Sequence, residues 1–429
     1  MADRAPDAPP AELSPRVRYA VLAAAFLGLL FDGVELGLMP IASLSVSKSL
    51  LGVQFTEKLG GEWFAWFAAS LLLGAAVGGI FLGNLGDRIG RTRAMGISIL
   101  FYSIFAGLGA FARTQEQMLL LRFLVGLGVG GVWPNGITLV SECWPNASRP
   151  MVSGIMSAGL NAGILLLSQL ARYQPITPDS WKWIFQLAAV PAILGLVVTL
   201  FLPESPRWLA ARTATRGSTS DDATHPKTRV HISELFRGQL WRVTLTGIAL
   251  SSVPMVGAWA ASKWMIPWAE AVAGKINPGY KASTQGWWAI GATLGSFFGA
   301  QLAHWLGRRR SYILISLGST AVTIFMFRGT APLEPGFHAI VFIQGLIATL
   351  FFGWLAVFLP ELFPLRVRAT GSGLAYNFGR FATAAGVVFA GLLFSALGSS
   401  YPLVGSTCAL IYAFGLIAIC FAPDTSRAM

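Results

Sequence analysis

Charge is scarce in this chain. Only 12% of its 429 residues are Asp, Glu, Lys or Arg, against about 25% in a soluble domain. A surface that poor in charge excludes an ordinary soluble globule. Histidine and cysteine are also rare, at 4 and 3 residues. Cys143, Cys408 and Cys420 are scattered, without metal-ligand spacing or a disulfide framework, so no metal site is expected. No Gly-x-x-x-x-Gly-Lys-Ser/Thr loop occurs, which argues against direct drive by ATP. No serine, histidine and carboxylate set points to an enzyme. The first residues lack the basic stretch and cleavage site of a signal peptide, so the first apolar segment is expected to be retained.

Apolar sequence fills the space that charge leaves. The chain is 54% hydrophobic, with a mean hydropathy of +0.62. Segments long enough to cross a bilayer as helices recur throughout. They lie near 19–41, 62–84, 93–112, 117–140, 150–172, 181–202, 240–268, 284–306, 310–328, 336–360, 369–396 and 401–422. The formal charge of +12 would fit nucleic acid if it were clustered, but its distribution says otherwise. With the first segment starting inside, about two thirds of the Lys and Arg fall on the cytoplasmic side. Only a minority, among them Lys48, Arg113, Lys275 and Arg328, fall outside. That asymmetry is the positive-inside rule. The basic excess orients the chain and meets anionic lipid heads. The lipid bilayer is the expected partner, and nucleic acid is not.

The segments divide six and six. A polar stretch over 203–236 separates them and reads as a cytoplasmic linker. The expected layout is a tail at 1–18, a first bundle at 19–202, the linker, a second bundle at 237–422 and a tail at 423–429. Three signals recur in each half in the same order. The hairpin Gly83-Asn84-Leu85-Gly86-Asp87-Arg88-Ile89-Gly90-Arg91 has a worn copy running from Ala300 through His304 and Gly307 to Arg308. A Glu-x-x-Pro-x-x-x-Arg run occurs as Glu142, Pro145, Arg149 and again as Glu361, Pro364, Arg368. Each half closes on an acidic tail, at Pro203-Glu204-Ser205-Pro206-Arg207 and at Pro423-Asp424. A charged hairpin repeated once per half of a membrane protein points to a duplicated transporter.

Over nearly its whole length the chain resembles the major facilitator superfamily. The Gly-x-x-x-Asp-Arg-x-Gly-Arg and Pro-Glu-Ser-Pro-Arg motifs are most similar to its organic-acid:proton symporter and sugar-porter branches. The resemblance implies an all-α membrane protein. Its twelve transmembrane helices would form two six-helix bundles around a cavity that opens alternately to either side. The fifth segment, 150–172, has no proline after Pro150, and so lacks the Gly-Pro element of the drug antiporters.

In the first hairpin, glycines permit a tight turn and close helix contact, and Asp87 accepts hydrogen bonds or faces a helix N-terminus. By resemblance, Arg91 pairs with Glu142, and such pairs latch an inner gate. Arg149, Glu361, Arg368 and Arg308 are the further gate candidates. His304 replaces Asp87 in the second copy. It is read either as a weaker, pH-sensitive latch or as a satisfied interfacial histidine.

Helix 1 carries Asp32 and Glu35 in leucine-rich sequence, one turn apart and on one face. Ionised carboxylates inside a membrane are costly and mark functional sites by default. The pair resembles the Asp-Gly-x-Asp element of aromatic-acid:proton symporters. Arg122 opens helix 4 in an Arg-x-x-x-Gly-x-Gly element and is a candidate partner for either acid, with release on protonation. The alternatives are fixed polar contacts for the acids and an interfacial arginine. Arg380 and Lys263 lie inside helices 11 and 7, where each greets an anionic substrate or bridges to a helix acid. Tyr376, Asn377, Trp133, Asn135, Trp259 and Gln344 complete the candidate substrate site. Irregular helix is expected near Pro134, Pro254 and Pro267.

The expectation is a secondary active transporter for a small polar organic substrate, an organic anion moved with protons. The proton gradient would be its only drive and no cofactor is expected. A monomer in a bacterial inner membrane with both termini cytoplasmic is expected. A sugar porter is the alternative, and a transporter-derived receptor or an antiporter stands behind it.

Overall fold

The structure, a computed structural model, describes residues 13–144, 149–217, 232–364 and 367–423. Helices dominate. The first half contains α1 (Pro15–Leu51), α2 (Glu57–Ile89), α3 (Arg91–Leu108), α4 (Gln115–Cys143) and α5 (Arg149–Tyr173), followed by α6 (Lys182–Leu187) and α7 (Pro191–Phe201). A further helix, α8 (Pro206–Gly217), leads into the linker. The second half contains α9 (Leu240–Val256), α10 (Met265–Ala273), α11 (Tyr280–Trp305), α12 (Arg308–Arg328), α13 (Phe337–Glu361), α14 (Arg368–Ala396), α15 (Tyr401–Cys408) and α16 (Leu410–Cys420).

Three pairs, α6 with α7, α9 with α10, and α15 with α16, each make one bent crossing. With the nine remaining long helices they give the twelve spans read from the sequence. Eleven of these are long and apolar enough to cross a membrane on length and composition alone. The twelfth is α11. It is as long as the others but carries Lys281, Thr284, Gln285 and Ser296, all buried. Those side chains face protein rather than lipid, so apolar content understates the span.

The two halves are built alike. Helices α2 and α4 approach so closely that a Cβ on Gly78 would overlap the Leu127 carbonyl, and one on Gly130 the Ala75 carbonyl. Helices α11 and α13 repeat this packing, with Gly295 against the Leu346 carbonyl. Small residues at these crossings let backbones meet without lipid between them. Across the halves, α2 packs on α14 and α5 on α11.

The seventh span, α9 with α10, breaks where prolines flank it. Pro254 ends α9, a wide turn covers Gly257–Ala261, a tight turn covers Ser262–Trp264, and Pro267 sits in the first turn of α10. Pro134, by contrast, leaves α4 continuous. It supplies no N–H to the Gly130 carbonyl, and both residues line the central cavity. The linker is more structured than its polar sequence implies, since α8 folds back and Trp208 Nε1 donates to the Asp87 carbonyl at 3.0 Å. Pro145, Asp424 and the linker segment 218–231 lie outside the described residues.

Candidate functional site

A cavity of about 470 Å³ lies between the halves, within the size range of small-molecule sites. Its wall runs from mid-helix toward the end that carries the hairpins, reaching Ile137 on α4 and Pro360 on α13. Most of the wall is apolar. Three charges interrupt it: Asp32 enters from α1, Lys263 from the broken turn before α10, and Arg380 from α14.

Lys263 is buried, and its Nζ lies 3.4 Å from the centroid of the Trp288 ring. It has no hydrogen-bond partner among the described residues. An aromatic face partly compensates a desolvated ammonium, but three donors remain available to a ligand. Trp288 is held in turn: its Nε1 donates to Gln344 Oε1 at 2.8 Å. Gln344 also donates to Ser262 and Thr323, and Ser262 meets the Tyr412 hydroxyl at 3.1 Å. This network braces the broken helix beneath Lys263.

Arg380 donates through Nη1 to the Ala75 carbonyl at 3.1 Å and lies over the Tyr376 ring. It also exerts an attractive field on Asp32 across the halves. Asp32 is buried, and its Oδ1 has no hydrogen-bond partner among the described residues. Trp133, Trp259, Tyr376 and Asn377 join these charges in the wall.

Two candidates are not in it. Gln344 belongs to the brace just described. Asn135 is buried and donates to the Leu82 and Gly131 carbonyls at 3.0 and 2.8 Å, tying α4 to α2. A polar residue on an apolar helix marks an interior contact, not by itself a cavity. Asn161 was not picked out from the sequence, yet it lines the cavity and donates to Ser296 across the halves at 3.1 Å. An amide in an apolar span was the available signal.

Behind Asp32, Arg122 Nη1 donates to Glu35 Oε2 at 3.1 Å. Both side chains are fully buried, and the guanidinium also lies 5.2 Å from the Phe185 ring. The pair joins α4 to α1. Arg122 pairs with Glu35, and no contact to Asp32 is present among the described residues.

At the hairpin end, Arg91 bridges to Asp87 at 2.5 Å and to Glu142 at 3.8 Å. The centre of the hairpin is Glu204, which the sequence offered only as part of a tail motif. Its carboxylate accepts from the backbone of Arg91 at 2.9 Å, of Thr92 at 3.1 Å and of Ser205 at 2.9 Å. It caps the N-terminus of α3, where a negative charge is stabilised. Gly90 makes this possible with φ +110°, because a Cβ there would overlap the Glu204 carboxylate. In the second copy, Arg308 forks onto Glu361 at 2.8 and 3.1 Å. Arg368 donates to the Phe363 carbonyl at 3.2 Å. His304 is exposed, with no hydrogen bond or ion pair among the described residues. These pairs lie within one half each rather than between halves. The Arg149 side chain lies outside the described residues.

The opposite end is tied shut between halves. The Ser45 hydroxyl on α1 lies 3.0 Å from Glu270 Oε1 and 2.9 Å from the Ile176 carbonyl, and accepts from Lys281 Nζ at 2.9 Å. Lys281 and Glu270 form a buried ion pair at 2.9 Å. Gln285 donates to the Gly37 carbonyl at 3.1 Å, and Tyr401 to Glu57 at 3.3 Å. A stack of Phe64, Trp264 and Phe394 fills the space between. The cavity is therefore closed at this end.

A duplicated helical bundle with a charged midplane cavity, a broken helix beside it and one sealed end is the architecture of a secondary transporter. The chain belongs to the sugar (and other) transporter family, whose sequence pattern matches residues 21–427. It is similar to a probable 4-methylmuconolactone transporter of Cupriavidus pinatubonensis, at 30% identity over 82% of this chain and 80% of that protein. It is also similar to the cis,cis-muconate transport protein of Acinetobacter baylyi, at 29% identity over 89% of each chain. Among solved structures, a D-xylose-proton symporter shares the fold, with a TM-score of 0.72 at 18% identity, covering 95% of this chain and 98% of that one. The protein is a multi-pass membrane transporter of the major facilitator fold, not an enzyme.

Proposed function

We propose that the protein imports a small organic anion together with protons by alternating access. The observation that carries this reading is the cavity's charge: two cations, Lys263 and Arg380, face one acid, Asp32, in an apolar wall. Protonation of Asp32 removes the acid that offsets one of the two cations, so the cavity's positive charge rises and attracts a carboxylate. Arg380 then exchanges the field of Asp32 for that of the substrate. Linkage requires proton and anion to favour each other's binding equally. The aromatic wall of Trp133, Trp259 and Trp288 suits a planar or unsaturated carbon skeleton. The muconate in one relative's name supports an anionic substrate, and the bacterial sources of both relatives support a bacterial inner membrane. In this orientation the hairpin end and both termini are cytoplasmic, the sealed end is external, and a monomer suffices.

A thermal-shift panel on purified protein tests the substrate class. Ligand present at a hundred times its Kd stabilises by about 2.7 kcal/mol. cis,cis-Muconate is expected to raise the melting temperature of wild-type protein, and D-xylose is not. Arg380→Gln is expected to remove the muconate shift. Stabilisation by xylose with none from carboxylates would replace this reading with that of a sugar porter.

A further inference from the structure

Five buried polar atoms on three neighbouring helices lack hydrogen-bond partners among the described residues: Asp32 Oδ1, Glu35 Oε1, the Tyr102 hydroxyl, and Arg122 Nε and Nη2. One such atom in a membrane protein costs several kcal/mol. Five of them on α1, α3 and α4 make a polar nest of the kind that recruits ordered water. Tyr102 is fully buried and carries no role in the substrate cavity. It is the neutral group of the nest that lies in the electrostatic field of both acids. Ser103 stands beside it but donates its own hydrogen to the Ile99 carbonyl at 2.7 Å, leaving only its oxygen to offer. Apolar groups flank the nest. Phe185 covers the Arg122 guanidinium, and α5 presents Leu160 and Ile164 to this stretch of α1. Arg380 on α14 is the remaining charge facing Asp32.

We propose that Tyr102 relays protons between the cavity-facing Asp32 and the buried Glu35, and so carries the state of the cavity to the Glu35–Arg122 pair. This rests on the proton-symport reading above. Asp32 takes a proton from the cavity. Its carboxyl then gives a hydrogen to the phenol oxygen, directly or through one water. The phenol releases its own hydrogen to Glu35 in the same exchange. Tyr102 ends neutral, Asp32 ends as the carboxylate, and Glu35 ends as the carboxylic acid. The negative charge has moved one helical turn, from Glu35 to Asp32, and Arg122 loses its anionic partner. The tie between α1 and α4 is thereby released. Tyr102 is a positioning and relay residue, since it touches no substrate.

Time-resolved infrared spectroscopy on the full-length protein in lipid tests the relay without any substrate. After a jump from alkaline to acid pH, the two carboxyl bands are followed and assigned with Asp32→Asn and Glu35→Gln. In wild type, the Glu35 band is expected to follow the Asp32 band. In Tyr102→Phe, the Asp32 band keeps its rate while the Glu35 band slows tenfold or more and reaches the same end point. A merely structural role for Tyr102 would move the end point or both rates. Phe removes an unpaired hydroxyl and keeps the ring, so the melting temperature should hold. Should it fall, 3,5-difluorotyrosine at position 102 keeps the hydroxyl, has a more acidic phenol, and is expected to change the Glu35 rate alone. A Glu35 band that forms at the wild-type rate in Tyr102→Phe overturns the relay and leaves symport through Asp32 standing. Failure of either carboxyl to take up a proton in wild type overturns both.

Discussion

Ser45→Ala should open the external face. Ser45 is the side chain of the N-terminal half that meets the Lys281–Glu270 pair: one hydroxyl sits among Lys281 Nζ, Glu270 Oε1 and the Ile176 carbonyl at 2.9–3.0 Å. Its single hydrogen serves one acceptor at a time, but its lone pair takes a charge-assisted bond from Lys281. A hydrogen bond to a charged group is worth about 1.5–3 kcal/mol net. Lys281 and Glu270 keep each other, so no buried charge is left alone and the loss stays near the middle of that range. About 2 kcal/mol shifts the balance between externally closed and externally open forms by roughly thirtyfold. Double electron–electron resonance reads this directly. Val53, beyond α1, and Ile276, beyond α10, are both exposed at the sealed end and accept spin labels once Cys143, Cys408 and Cys420 are replaced. Wild type should give one short distance, and Ser45→Ala should add a longer population. An unchanged distribution would refute the idea that this clasp decides which form is populated.

Two further outcomes follow from the hairpins. Asp87→Asn should damage transport more than His304→Asn, because Asp87 pairs with Arg91 while His304 is exposed and unpaired among the described residues; initial uptake rates compare them, and equal effects would remove the asymmetry. Gly90→Ala should destabilise the protein by about 2 kcal/mol or more, since it combines backbone strain with a collision at the Glu204 cap; a melting temperature equal to wild type would show that the cap is dispensable.

The spans were legible because a bilayer demands long apolar helices, and the duplication was legible because the same charges recur at the same turns. The rest needed three dimensions. Glu270 and Lys281 fell at segment ends, where a lysine reads as loop charge, yet α10 and α11 extend to include them and bury them against α1. Glu204 is silent in sequence because a backbone cap leaves no spacing rule across 112 residues. Asn135 and Gln344 looked like substrate contacts because polarity on a helix reports an interior partner without saying which one. Asp32, Lys263 and Arg380 were readable for the opposite reason: a full charge inside a membrane is too costly to persist without a task.

The central claim is that proton and anion move together through the cavity bounded by these three residues. Proteoliposomes loaded with a pH-sensitive dye measure it. On external addition of the carboxylate that stabilises the purified protein, the lumen should acidify in step with uptake, and Asp32→Asn should abolish the acidification. Uptake of that carboxylate with no movement of protons would contradict the account.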